Sequence, residues 1–447
     1  MRRSRAAFFA SSILVVLAAC SSGEDDSGGG GAAPNNPSAA DPTSPSGEKP
    51  EAPLTARAVC PTVETGPSFA QGCSGTGSGD VVCTLNDSRC GSDSCVYDSR
   101  NGKTFSFYCS PKCTVGDATR CPLGYECVAE SASCAGGGGE GVCALRSGSG
   151  CDPSVKIKSG RFFEGPGGEL YNLAGQYSPE RATLSVRSGN TFKTVTTWDG
   201  DATIRALVRN GDTLLVVTAS TEVVVSGGKA TAQKRAASNS YATAYGVAKD
   251  GSFVLLDGGS GAESFAALMR RGDDGTWTEL GPTRQRVAKI VGLGKGFLAV
   301  CQKSLCSSAD GETFTPVSLP NGVTFDEKTT FAVTGLSTDD FHLAVGGGLY
   351  HHRKGAWVEE GPRGKKPGAD AGSGSDRPDL LRSFADGTVV FHTWTGERYA
   401  TYVYGDECWT FSSGRNLDGA DLVKGENGNA FVWSDSYDGE LCSTPTR

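Results

Sequence analysis

Cysteine is the residue type whose number and spacing in this sequence most plainly imply chemistry. Seventeen cysteines are spread over 447 residues. Cys20 stands apart, at the end of an apolar N-terminal run. Twelve crowd residues 59–151: Cys60, Cys73, Cys83, Cys90, Cys95, Cys109, Cys113, Cys121, Cys127, Cys134, Cys143 and Cys151. Two more lie at Cys301 and Cys306, and the last two at Cys408 and Cys442. Thiols can hold metal, exchange electrons or cross-link. No pair in the crowded region has the C-x-x-C spacing of a zinc site or a thioredoxin-like motif. Setting Cys20 aside leaves an even sixteen, so disulfides in an exported chain are the reading.

Other chemistry is sparse. There is no G-x-S-x-G elbow and no H-E-x-x-H pair. The four histidines are His342, His351, His352 and His392. All fall in strand-like stretches, and His351 and His352 must face opposite sides of one strand, so they are poor joint ligands. The expectation is core or surface histidines, with no metal and no cofactor. Gly102-Lys103-Thr104 lacks the earlier glycine of a phosphate loop, and Gly136–Gly141 meets G-x-G-x-x-G inside a cysteine loop with no strand before it or helix after it. Acidic turns at Asp199-Gly200-Asp201 and Asp435–Asp438 read as solvated turns, with calcium binding as the alternative. The formal net charge is −8, and it falls to −11 once Arg2, Arg3 and Arg5 are removed with a leader. A nucleic-acid partner, which requires a basic footprint, is excluded.

The N-terminus defines the compartment. MRRSR is basic, and residues 6–19 are uncharged and apolar, too short for a comfortable bilayer span. Leu17-Ala18-Ala19-Cys20 resembles the lipobox of bacterial lipoprotein signal peptides. That resemblance implies cleavage after residue 19, acylation of Cys20 and a membrane anchor. Ser21 in place of an aspartate then implies the outer membrane, on its periplasmic side or at the cell surface. Residues 20–58 are rich in Gly, Ser and Pro and hold almost no large apolar side chain, so they read as a disordered tether.

Residues 59–151 form a cysteine-rich module expected to close six bridges of its own, with on the order of ten thousand pairings open. Few apolar residues are available for a core, so cross-links must hold it. Cys109-Ser-Pro-Lys-Cys113, Cys121-Pro-Leu-Gly-Tyr-Glu-Cys127 and Gly141-Val-Cys143 resemble small extracellular modules of the EGF-like or Dickkopf type. Such modules occur in surface lipoproteins of the myxobacterial type, and the resemblance implies a spacer or an interaction module.

Residues 152–447 repeat. Apolar strands recur at 214–218, 253–257, 297–300, 341–345, 389–393 and 431–434, each soon followed by a second strand. An outer strand then opens near Phe192, Ala230, Trp277, Phe314, Trp357 and Trp409, at separations of 38, 47, 37, 43 and 52 residues. Four strands per 40–50 residues is the signature of β-propeller blades. The fold class is therefore mainly β: a disulfide-rich module followed by a propeller of about seven blades, with six or eight blades or a β-sandwich pair as alternatives. The strand-like stretch Val155–Glu164 is placed to close the ring by pairing into the last blade. Ser308-Ala309-Asp310-Gly311-Glu312-Thr313-Phe314 resembles the Asp-box of sialidase-like propellers, although the residue between Asp and Gly is missing. Asp273–Trp277 and Ser188–Phe192 are weaker copies. In that family the box is structural.

A two-residue turn at Lys303-Ser304 would set Cys301 opposite Cys306 within bonding distance. Cys408 and Cys442 remain and pair by elimination, tying the sixth unit to the seventh. With no catalytic motif in view, the expected function is an anchored binding or scaffold protein that takes a protein or glycan ligand at the propeller face. The alternative is a sialidase-like glycan hydrolase or lyase, for which Arg205, Arg382 and Tyr399 are the available side chains.

Overall fold

The computed structural model describes residues 54–445, apart from 65–72, 74–81, 86, 101–106, 117–120, 123, 131–140, 147–149, 157–159, 178–179, 236–242, 259–263, 303, 326–328, 364–379, 385–387, 395–398, 405–407, 414–420, 426–427 and 435–439. Cys20, the leader, residues 20–53 of the tether and the Asp435–Asp438 turn lie outside the described residues. So do Gly102-Lys103-Thr104 and the glycines before Gly141.

Two small sheets come first. Strands β1 (Val82–Leu85), β2 (Ser94–Asp98) and β3 (Phe107–Ser110) form one. The other, in the order β4-β6-β5, comprises β4 (Lys112–Cys113), β5 (Tyr125–Ala129) and β6 (Gly141–Leu145). Bonds Cys73–Cys95, Cys90–Cys109, Cys113–Cys127 and Cys121–Cys143 lace this region. Asp98, fully buried, accepts from Tyr108 Oη at 3.1 Å and from Arg100, and Arg100 also reaches Glu126 at 3.0 Å, so one ion-pair network joins the two sheets.

The rest of the chain is a ring of antiparallel sheets. β8 (Gly160–Glu164), β9 (Leu170–Tyr177), β10 (Glu180–Ser188) and β11 (Thr191–Asp199) form a meander of four. β12 (Ala206–Asn210), β13 (Thr213–Val217), β14 (Thr221–Ser226) and β15 (Lys229–Lys234) form the next. A seven-stranded sheet follows: β16 (Thr243–Val247), β17 (Phe253–Asp257), β18 (Ser264–Arg271), β19 (Trp277–Gly292), β20 (Phe297–Cys301), β21 (Ser304–Ser308) and β22 (Thr315–Pro316). β19 pairs with β18 through residues 277–287 and with β20 through residues 288–292, so one long strand ends one set of four and begins another. Two more meanders of four follow. The first is β23 (Phe331–Ser337), β24 (Asp340–Val345), β25 (Gly348–Arg353) and β26 (Ala356–Arg363). The second is β27 (Leu380–Ser383), β28 (Val389–Trp394), β29 (Tyr399–Tyr404) and β30 (Trp409–Ser413). In the last sheet β31 (Asp421–Gly425), β32 (Gly428–Ser434) and β33 (Glu440–Pro445) accept β7 (Gly150–Lys156) as a fourth strand.

The ring closes because β31 packs against β8 while β7 and β33 pair. Inner strands β12, β16 and β19 pack side by side, as do β23 and β27. This is a β-propeller, and its core lies between successive sheets. In β13, Leu214 and Val216 face the β8–β11 sheet, while Leu215 and Val217 face Tyr245, Val247 and Leu255 on the other side. A strand with both faces buried needs an unbroken apolar run, which is why the second strand of each set is so apolar in sequence. The same sandwiching recurs around Phe297 and Phe314, around Phe341 and Leu343, and around Phe391 and Trp409.

The strand that closes the ring is β7, not the whole stretch Val155–Glu164, whose residues 160–164 form β8 in the first sheet, and three further expectations change. Cys408 is bonded to Cys60, not to Cys442. Cys60 therefore leaves the set expected to pair within residues 59–151, and Cys442 stands opposite Cys151 in the β33–β7 register. The cause is a strap: residues 57–60 lie along Trp409, with Val59 forming a parallel bridge to it. Backbone bonds run from Trp409 N to Ala58 O at 3.0 Å, from Cys60 N to Trp409 O at 2.8 Å and from Gly361 N to Arg57 O at 2.8 Å. The end of the expected disordered tether is thus held, because its backbone groups find partners on two outer strands. The third change is register. In the hairpin after Cys301, Cys301 pairs with Ser304 and Cys306 faces Ala299. Cys301 and Cys306 are bonded on the diagonal, Cα to Cα 6.1 Å.

Candidate metal centre

Strand alternation that serves packing elsewhere aims polar side chains inward on β24 and β25. Phe341, Leu343 and Val345 point toward the β19–β22 strands, which leaves His342 and Ala344 facing the β27–β30 sheet. Gly346 and Gly347, both at positive φ (59° and 81°), form the two-residue turn that pairs Val345 with Gly348. Such a turn matches the twist of the flanking strands. It fixes the register that puts His351 directly opposite His342. Their rings stack, centroids 4.1 Å apart at 9°. The third member is on the next strand: Glu360 of β26, whose Oε1 lies 3.7 Å from His351 Nδ1.

His342, His351 and Glu360 each bring one ring nitrogen or carboxylate oxygen within 4.8 Å of the others. The three residues are 6%, 3% and 1% exposed, and the atoms His342 Nε2, His351 Nδ1 and Glu360 Oε1 are the ones buried without hydrogen-bond partners. An unpartnered buried polar atom costs about 1–3 kcal/mol, so three in one cluster require an explanation. The surrounding groups are held. Asp340 Oδ1 takes His351 Nε2 at 2.9 Å, and Arg353 Nε lies 3.6 Å from the other Asp340 oxygen. Glu360 Oε2 accepts the Arg57 amide at 2.9 Å and Trp409 Nε1 at 3.1 Å. The Arg57 guanidinium stacks on Tyr404 at 3.7 Å. The strap therefore roofs the cluster on one side. Burial, with His351 and Arg57 acting in the same direction, holds the His342 imidazole well below its ordinary 6.5. A neutral imidazole keeps a free lone pair, the state a metal ligand needs.

Two imidazoles and one carboxylate are a three-ligand set for zinc and its neighbours. The cluster has little signature in sequence, because the ligands are not at motif spacing. The signal lay in hairpin register: once Gly346-Gly347 is taken as a two-residue turn, residues 342 and 351 must be cross-strand partners. His352 points the other way and packs between Phe341 and Trp357, each ring centroid 4.7 Å distant, while burial lowers its pKa. His392 Nδ1 pairs with Thr401 Oγ1 at 2.8 Å.

Arg205 precedes β12 and is exposed, Arg382 is on β27, and Tyr399 is on β29. Asp201 accepts the Ala219 amide at 3.3 Å. In the box at Ser308–Phe314, Asp310 Oδ1 accepts the amides of Glu312 at 2.8 Å and Thr313 at 3.2 Å, while Gly311 sits at φ 85° and Phe314 is buried between strands. Asp274 binds the Thr276 amide at 2.9 Å in the same manner. A third such turn, Asp250 to the Ser252 amide at 3.0 Å, was not expected from sequence.

No protein-family model and no curated protein matches the chain. Among solved structures it is similar to virginiamycin B lyase from Staphylococcus aureus, with a TM-score of 0.39 and 11% identity over 64% of this chain and 97% of that one. It is similar to the Pan2 WD40 domain of Neurospora crassa, with a TM-score of 0.39 and 10% identity over 65% and 90%. It is also similar to YCF48 bound to a D1 peptide, with a TM-score of 0.37 and 12% identity over 65% and 93%. No helix among the described residues is long and apolar enough to cross a membrane.

Proposed function

We propose that this chain is an exported lipoprotein, anchored through acylated Cys20 in the outer membrane, that works as a binding or scaffold protein and not as a catalyst. The cysteine-rich composition, the basic start MRRSR with its apolar run, and the lipobox-like Leu17–Cys20 support the compartment. We read the propeller as seven-bladed, with β19 shared between two blades and β7 in the last. The ligand is a protein or glycan met by the loops around the ring.

The observation that carries the binding reading is that the buried charges of the ring mostly serve the fold. Glu222 accepts Tyr245 Oη at 2.9 Å and Trp277 Nε1 at 2.7 Å. Arg209 Nη2 donates to the carbonyls of Glu164 at 3.0 Å and Gly165 at 2.7 Å. The box aspartates cap their own turns. Such a ring is a rigid frame that presents its surface, and catalysis would need a reactive group left free at a pocket.

Two measurements test this. In cells fed labelled palmitate, the wild-type chain should carry label and sediment with membranes. Cys20→Ser should lose the label and become soluble; a Cys20→Ser protein still labelled and sedimenting would overturn the anchor. For the binding reading, the purified chain is offered sialylated and other envelope glycans and envelope proteins. Saturable retention without turnover is expected, and product release that follows the intact protein would overturn it.

A further inference from the structure

We propose that His342 Nε2, His351 Nδ1 and Glu360 Oε1 hold one divalent ion of the zinc class between the β23–β26 and β27–β30 sheets. The inference stands on this cluster alone and does not depend on the anchor or on any ligand of the ring.

The first argument is saturation. Three buried ligand-type atoms, none with a hydrogen-bond partner, lie together on three adjacent strands. A proton shared by His351 Nδ1 and Glu360 Oε1, 3.7 Å apart, would engage two of them and leave His342 Nε2 unpaired. One cation engages all three. The second argument is size. Zinc bonds of about 2.0–2.2 Å place neighbouring ligand atoms roughly 3.4 Å apart. The His351–Glu360 separation of 3.7 Å is near that, and one of the stacked His342 and His351 rings must turn about χ2 out of the stack for both lone pairs to reach one ion.

The third argument is the outer shell. A metal-bound histidine ordinarily gives its other ring N–H to a carboxylate, which fixes its tautomer. Asp340 does this for His351 at 2.9 Å. Glu360 is oriented through its second oxygen by Trp409 and by the Arg57 amide. The ligand chemistry then selects the metal. Calcium and magnesium want six or more oxygens, whereas imidazole favours zinc, cobalt, nickel and copper. The ion ties three adjacent strands together and, through Glu360, ties them to the strap and to the neighbouring sheet, so its role is a clamp.

The test uses the full mature chain with its disulfides intact, stripped by a chelator and titrated with zinc against a chromophoric competitor. One zinc per chain is expected, and cobalt(II) should give visible d–d bands of a low-coordinate nitrogen–oxygen site. His342→Gln and Glu360→Gln should abolish the stoichiometric site. Asp340→Asn should weaken it about 10–100-fold. His352→Gln, on the opposite face, should leave it unchanged. Absence of stoichiometric uptake by the wild type, or equal uptake by folded ligand variants, overturns the proposal. Should the ligand variants not fold, zinc-edge X-ray absorption of the wild type decides: imidazole and carboxylate scattering supports the site, and sulfur or oxygen-only scattering overturns it.

Discussion

The carboxylate of Glu222 accepts the indole N–H of Trp277 at 2.7 Å across two neighbouring sheets. Glu360 and Trp409 repeat the arrangement at 3.1 Å further round the ring. In both cases the tryptophan stands at the opening of an outermost strand. The aromatic that recurs there does more than pack: it brings a donor to a carboxylate on the preceding sheet. Trp277→Phe keeps most of the apolar area and removes the donor. It should destabilise the protein by about 1–3 kcal/mol in urea unfolding, because a buried carboxylate oxygen loses its best partner. Trp357→Phe removes a bond to the Ser318 carbonyl at a more exposed place and should cost less. Equal losses would refute the distinction.

The Cys60–Cys408 bond spans 348 residues. Peptide mapping without reduction should recover these two cysteines together, and a Cys408–Cys442 peptide would contradict the strap. Replacing both by serine should lower stability by about 2–5 kcal/mol, the usual range for a native bridge.

Gly361 gives a second test of the strap. A Cβ there would lie 2.7 Å from Val59 N and 2.9 Å from both the Ala58 carbonyl carbon and Arg57 O. These are backbone atoms that cannot swing aside. Gly361→Ala should lift the strap at an overpacking cost of about 1–3 kcal/mol. Trypsin cleavage after Arg57 should then quicken by roughly 5–100-fold, since opening becomes that much more frequent. Unchanged cleavage would show that residues 57–60 do not lie against β26.

The box aspartates set an acid limit. Burial pushes the Asp310 carboxyl up, but the amides of Glu312 and Thr313 and the Ser308 hydroxyl more than offset it, so it rests below its ordinary 3.8. The Ser252 hydroxyl and amide lower Asp250, and the Thr276 amide and hydroxyl lower Asp274. For a group whose folded pKa is depressed, the stabilisation is complete above the unfolded value and is lost as pH falls through the folded one. Stability in urea should therefore be flat in these groups above pH 3.8 and decline below it. Asp310→Asn should flatten part of that decline, and an identical acid limb would exclude Asp310 from it.

Strand positions were legible because they obey local rules. The runs at 214–217 and 297–300 are apolar on both faces, and Gly-containing turns precede them. What escaped the sequence is what depends on distant pairing. The partner of Cys408 lies on a stretch whose composition reads as tether, and what docks it is distant in sequence: backbone groups of Gly361 and Trp409, the Glu360 carboxylate and the Tyr404 ring. The hairpin at Cys301 slipped by one residue because Gln302 takes a positive φ of 47°, an uncommon choice for a residue with a side chain. The His342–His351–Glu360 cluster was hidden in the same way: each residue sits in an ordinary strand, and only the register of two hairpins brings them together.

The bond at Cys60 also determines where load enters the molecule. Residues 61–150 branch off between two points fixed to the ring, the strap at Cys408 and the closing strand β7. Tension applied from the N-terminal side passes from residue 60 straight into the β27–β30 sheet through a single covalent link. The cysteine-rich sheets hang as a side loop outside that line of force, so a chain pulled from its N-terminal end can transmit stress to the propeller without stretching the module that precedes it.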